Sequence, residues 1–270
     1  MTLTIPHVIA DAHVVAKRNI IKIKRVPDLL VFTTLSPIMF VLLFSYVFGG
    51  AIDQAGGGSA YREFLIAGIF AQTVIFGATI TGAGLADDVK KGIIDRFRSL
   101  PMAPSAVLTG RTLSDVVNNV IVLVVMSLTG LLVGWRIRSS PIEALAGFGL
   151  LLVFAYAVSW VMAWIGMLVP SPEVVNNASF IVIFPITFVA NTFVPLSTLP
   201  GPLRSFAEWN PVSSVTQAAR ELFGNIPANT PEPTAWPLQH AAEYTLIWTV
   251  LILVIAIPVA NAQYRVSTSR

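Results

Sequence analysis

The stretch VVNNVIVLVVMSLTGLLVGW, residues 116–135, decides the fold class. It runs 20 residues without an Asp, Glu, Lys or Arg, which is the length a helix needs to cross the hydrocarbon core of a bilayer. Ile121, Val122, Leu123, Val124 and Val125 follow one another directly. A membrane barrel strand alternates apolar and polar residues instead, so a β-barrel is excluded. Comparable runs recur along the chain, and they predict six spans at about 29–50, 64–86, 112–135, 144–170, 174–197 and 241–264. Fourth and fifth are separated only by Ser171, Pro172 and Glu173, and five spans result if this tight turn makes the two something other than separate crossings.

Composition agrees with this reading. Of the 270 residues 55% are hydrophobic and 11% charged, against roughly 25% charged in a soluble domain. Mean hydropathy is +0.75. Soluble, disordered, coiled-coil and collagen-like chains are thereby excluded. There are no cysteines, which removes disulfides, thiolate catalysis and iron–sulfur clusters from consideration. The fold class expected is an all-α integral membrane protein forming one transmembrane unit over 1–270.

The few charges set the expected orientation. Twelve basic residues flank one side of the six spans, among them Lys17, Arg18, Lys22, Lys24 and Arg25 before the first, and Lys90, Lys91, Arg96, Arg98 and Arg111 between the second and third. The other side carries five: Arg62, Arg136, Arg138, Arg204 and Arg220. The richer side is expected in the cytoplasm, with both termini there. The charged arm ahead of residue 29, with no small-residue cleavage site after the first apolar run, predicts an anchor and not a removable signal.

Three segments lie outside the spans. Residues 8–25 read as an amphipathic helix with Ile9, Ala12, Ala16, Ile20 and Ile23 on one face, suited to the membrane interface. Residues 87–100 read as a second amphipathic helix that opens with Asp87 and Asp88 and is stopped by Pro101; Val89, Ile93, Phe97 and Leu100 line its apolar edge. Such a helix either seats in a groove of another protein or merely orients the spans. Residues 198–237 hold a run of prolines and the sequence Asn210-Pro211, a cap followed by the first helical position, with Gly224 as a stop. Two short helices dipping into the membrane from the far side are expected here.

Chemical motifs are sparse. No Gly-Lys pair occurs, so no phosphate-binding P-loop is present. His7, His13 and His240 are scattered, and no metal site is expected. Glu63, Asp115, Glu143 and Glu243 all fall near predicted membrane boundaries and are expected to be solvated there. That expectation disfavours an ion-driven carrier, which needs buried ionisable groups. Asn118, Asn119, Asn176, Asn177 and Asn191 read chiefly as interhelical contacts, with substrate binding as the alternative. Phe154, Trp160 and Trp164 on the fourth span, together with Asn191, are candidates for a substrate path, with lipid-facing packing as the alternative for the aromatic residues.

Two stretches resemble the type-2 ABC exporter permeases, in particular their drug-resistance branch. One is the segment from Gly92 through Ile93, Ile94, Asp95, Arg96, Phe97, Arg98, Ser99, Leu100 and Pro101 to Pro104, followed by Gly110 and Arg111. The other is Phe193-Val194-Pro195 with Leu199-Pro200-Gly201, then Asn210-Pro211-Val212-Ser213 and Arg220. The resemblance implies an ATP-driven exporter of hydrophobic drugs or lipid-like amphiphiles, working by alternating access. It implies ATP and Mg on a separate ABC ATPase subunit, two copies of which bind two permeases, either identical or related. Ile93, Ile94, Asp95, Arg96, Phe97, Arg98 and Leu100 would form the ATPase-coupling helix. Pro200, Asn210, Pro211 and Arg220 would belong to the outer re-entrant motif. The lipid bilayer is the other partner, and no nucleic acid is expected. Alternatives are a permease for lipid-linked glycans, a secondary carrier, a membrane assembly or signalling protein, and a membrane enzyme. The last lacks any cluster of His, Asp and Glu to support it.

Overall fold

The computed structural model describes residues 5–25, 27–48, 58–99, 104–169, 171–226 and 232–266. The regular elements among them are all helical, with no strand. In chain order they form α1 (Ile5–Arg25), α2 (Pro27–Leu42, continued by a π-helical turn Leu43–Phe48), α3 (Gly58–Gly77), α4 (Thr79–Lys90), α5 (Ile93–Arg98), α6 (Pro104–Val133), α7 (Pro141–Leu168), α8 (Pro172–Val189), α9 (Gly201–Trp209), α10 (Pro211–Phe223), α11 (Trp236–Gln239) and α12 (Ala241–Val266).

Among the described residues five stretches are long and apolar enough to cross a membrane: Tyr61–Lys90, Ser105–Val133, Pro141–Leu168, Pro172–Val189 and Ala241–Val266. A shorter apolar helix, Thr34–Tyr46, lies in the region of the first expected span. Its helix carries Pro37 inside and passes into π geometry at Leu43, where the regular hydrogen-bond ladder is interrupted.

Several boundaries differ from the sequence reading for local reasons. The helix 87–100 is not continuous. Asp87 and Asp88 close α4, Gly92 adopts φ 66 and breaks the chain, and a separate six-residue α5 follows. Only glycine takes that backbone angle without penalty. The third span begins at Pro104, eight residues before the expected 112, and its extra turns pack along α1. The fifth span ends at Val189 and not 197, because residues 190–193 turn sharply and are tied down by other elements. On α1 the buried face is Ala12, Val15, Ala16 and Asn19, while Ile20 is exposed.

Lipid offers no hydrophobic drive between helices, so close packing has to hold them together. Glycines make this possible where α4 crosses α7: a Cβ on Gly166 would collide with the carbonyl of Gly82. Gly110 on α6 likewise admits Ala12 and Val15 of α1. The main core gathers Phe70, Trp135, Phe148 and Phe223, with Trp135 edge-on to Phe70 at 5.2 Å and to Phe223 at 5.6 Å. The Trp135 indole N–H donates to Asn225 Oδ1 at 2.7 Å, so this large ring is buried without an orphaned donor.

Helix α10 is enclosed by α3, α7 and α12, and every residue from Val212 to Arg220 is buried. Asn210 caps it by accepting from the Val212 N–H at 2.9 Å, Pro211 takes the first position, and Gly224 ends it with φ 69. The bundle thus has one end formed by α1, α5 and the end of α4, and an opposite end formed by α9 and the entry to α10.

Candidate functional site

The first candidate region is the end that carries α5. Ile94 is 1% exposed and packs into a cluster with Leu85, Val89, Leu108 and Tyr264. It anchors α5 to the bundle, so it presents nothing outward. Phe97 is half-buried against the same cluster. The Arg18 guanidinium carbon lies 5.2 Å from the Phe97 ring centroid, within cation–π range. The same side chain donates to Asp88 Oδ1 at 3.3 Å. One arginine of α1 therefore ties the end of α4 to α5. Ile93 and Asp95 are half-buried and Arg96 is exposed. Asp95 lies in the first turn of α5, where its charge suits the helix dipole. Lys91 donates to Asp87 at 2.7 Å, and this bond raises the ammonium pKa. The Arg98 side chain and Leu100 lie outside the described residues. What remains facing out is a small surface of Ile93, Arg96 and the edge of Phe97; α1 separately exposes Val14, Ile20 and Ile21.

The second region lies within the spans. Asp115 is not solvated at a boundary, as its sequence position suggested. It is 4% exposed, pairs with Arg111 Nε at 3.8 Å and accepts from the Thr81 hydroxyl. Arg111 lies over Gly84 and donates to the Ile80 carbonyl at 3.0 Å. Because α6 starts at Pro104, Asp115 is about three turns inside the helix.

Next to this pair, α2, α3, α4, α6 and α8 line a cavity of about 360 Å³. Gln72, Thr73, Asn118 and Asn119 give it a polar side; Phe40, Phe76, Phe180 and Phe184 give it an aromatic one. None of the four path candidates lines it. Phe154 and Trp160 are each 2% exposed in two separate core clusters, Trp164 packs against the second, and Asn191 is buried near α10. The residues that do line the cavity come from five elements; of these the sequence singled out only Asn118 and Asn119, chiefly as interhelical contacts, while the i, i+4 spacing of Phe180 and Phe184 on α8 is a signal that could have found two more.

The third region is the opposite end. Pro200 caps α9, Asn210 and Pro211 open α10, and Asn210 Nδ2 also donates to the Ile186 carbonyl of α8 at 2.8 Å. Arg220 is 1% exposed. Its Nε donates to the Phe64 carbonyl at 2.8 Å and Nη2 to the Thr192 carbonyl at 3.2 Å, with the guanidinium carbon 3.4 Å from the Phe64 ring centroid. Glu63 is engaged elsewhere, by Arg138 at 2.7 Å, and that contact raises the Arg138 pKa.

Among the described residues no cluster of His, Asp and Glu has metal-binding geometry. Over residues 11–223 the chain matches the family model described as "ABC-2 type transporter". It is 36% identical over 206 residues to a daunorubicin resistance ABC transporter permease protein of Streptomyces coeruleorubidus, covering 76% of this chain and 72% of that protein. It is 25% identical over 233 residues to a probable doxorubicin resistance ABC transporter permease protein of Mycobacterium tuberculosis, covering 86% and 80%. A putative transport permease of Cyanophora paradoxa matches at 23% over 221 residues, covering 80% and 75%.

Proposed function

The chain belongs to the ABC-2 type transporter family, and on that premise we propose that it is the membrane permease of an ATP-driven exporter of hydrophobic drugs. It is a multi-pass membrane protein, and its sequence carries no P-loop of its own. An ABC ATPase subunit therefore supplies the energy, bound at the α1–α5 end. Two ATPase copies and two permeases, identical or related, make the working unit. The observation that carries this reading is the α5 surface. Ile94 and the Arg18–Phe97–Asp88 contact fix α5 rigidly to the transmembrane helices, leaving Ile93 and Arg96 free for a partner. A push on α5 passes directly to α4, which borders the cavity at Thr79 and Ile80.

In this account the basic end is cytoplasmic, as are both termini. The cavity receives the cargo: its volume suits one drug-sized molecule, which favours a compact amphiphile over a glycan polymer. Its phenylalanines offer ring faces for a flat aromatic body, and Asn118 and Gln72 offer polar contacts for its substituents. The buried Arg111–Asp115 pair is already internally neutral, so it provides no free charge for coupling to an ion gradient.

Co-purification of the chain with a cognate ABC ATPase tests the docking surface. Arg96→Glu should reduce the recovered ATPase several-fold, about 1 kcal/mol or more for a lost interfacial charge contact. Phe97→Asp should abolish recovery, since it sets a carboxylate against the apolar cluster on which α5 is seated. Full recovery with both variants would place the ATPase elsewhere.

A further inference from the structure

After α8 the chain makes a buried turn, residues 190–193, in which Thr192 and Phe193 have no exposed surface. The turn is held from several directions. Arg220 donates to the Thr192 carbonyl, the Asn191 N–H donates to Ser213 Oγ at 3.0 Å, Asn191 Nδ2 to Gln217 Oε1 at 3.1 Å, and the Tyr61 hydroxyl to the Phe193 carbonyl at 3.3 Å. The backbone of α3 also presses on it: any Cβ at Gly68 would collide with the Thr192 carbonyl oxygen.

Arg220 is an unusual clamp. Among the described residues no ion pair joins it to a carboxylate. It is held by two backbone carbonyls and one ring. Its Nη1, Thr192 Oγ1 and Thr216 Oγ1 are all buried without a hydrogen-bond partner. Unmatched buried groups of this kind raise the free energy of the closed arrangement. A closure that leaves them unmatched is one that can be released, since water reaching them on opening would satisfy them.

The turn lies at the end of a run of aromatic rings that leads from the cavity along one face of α8, on which Phe180 and Phe188 stay partly exposed. Centroid separations are 5.0 Å from Phe180 to Phe184, 5.1 Å to Phe188, 5.1 Å to Phe193, and 4.7 Å from Phe193 to Phe44. Phe180 and Phe184 line the cavity, and Phe193 lies in the turn itself. We propose that Arg220 is the latch of an exit gate: it holds turn 190–193 across the end of this phenylalanine ladder, and its release opens a path for a flat aromatic amphiphile toward the end opposite α5. Arg220 is a positioning residue here and does not touch the cargo. The proposal rests on the permease reading above.

The chain has no cysteines, so one introduced thiol reports cleanly. The test uses the full chain with its ATPase in intact cells, a Thr73→Cys reporter inside the cavity, and a membrane-impermeant maleimide added outside. Labelling per molecule should accelerate about tenfold in Arg220→Gln, from loss of charge-assisted hydrogen bonds. Gly68→Ala, which displaces the turn without touching Arg220, should do the same. Arg220→Lys should stay fast, because a lysine cannot bridge both carbonyls. An unchanged rate in variants that reach the membrane at normal level overturns the latch; so does a change in abundance alone, which is all a structural role would give. If Arg220→Gln does not accumulate, Gly68→Ala and Gln217→Ala, which removes the Asn191 bond together with the one Gln217 donates to Glu221 within α10, decide the matter. Exposed Thr198→Cys serves as the orientation control. If it fails to label from outside, the orientation in the permease reading is at fault, and the same comparison on inverted vesicles judges the latch.

Discussion

Asp115 and Arg111 are the residues that most change the picture of the membrane interior. Both are buried within a span, close enough to neutralise one another, and both bond to α4. Breaking such a pair leaves an uncompensated charge in a dry site, at a cost of about 3–5 kcal/mol, whereas replacing both partners with apolar residues is close to neutral. Asp115→Asn alone should therefore strongly lower the melting temperature of the purified protein, and Arg111→Met/Asp115→Leu should recover most of it. Equal melting temperatures for wild type and Asp115→Asn would mean the pair carries no stability. The sequence hid this burial because the uncharged run starts at Val116, so Asp115 read as a boundary residue. Only the earlier helix start at Pro104 reveals its depth. Arg220 was visible as part of a motif, but its carbonyl partners at Phe64 and Thr192 are far away in sequence and left no local trace.

Among the elements, local chemistry was legible and tertiary choices were not. The Asn210 cap, Pro211 at the helix start and the Gly224 stop act within a few residues, and α10 has the bounds they dictate. The break at Gly92 was missed because apolar periodicity continues across it, from Val89 to Ile93 and Phe97. Which face of α5 turns inward was likewise set by the bundle: Ile94 is buried, although spacing favoured Ile93. The α4–α7 crossing depends on Gly82 and Gly166 lying backbone to backbone. Gly166→Val should force these helices apart and destabilise the protein by about 1–3 kcal/mol, read as a lower melting temperature and less folded protein in detergent. A neutral result would mean the crossing can relax.

For the molecule as a whole, membrane character and helix order follow from long uncharged runs, each of which speaks for itself. The cavity does not, because α2, α3, α4, α6 and α8 each contribute only a few lining residues, and no single run announces it. Orientation is open to a direct check. Lys91→Cys at the α5 end should be shielded from an impermeant thiol reagent in intact cells, and Thr198→Cys should react; the reverse pattern would invert the topology. The central claim is that energy enters through α5 from a separate ATPase. The most direct measurement is amphiphile transport in proteoliposomes that contain the chain with or without its ABC ATPase. The account predicts transport only with both the ATPase and ATP, and its loss in Phe97→Asp. Transport by the chain alone, driven by an imposed proton or sodium gradient, would contradict it.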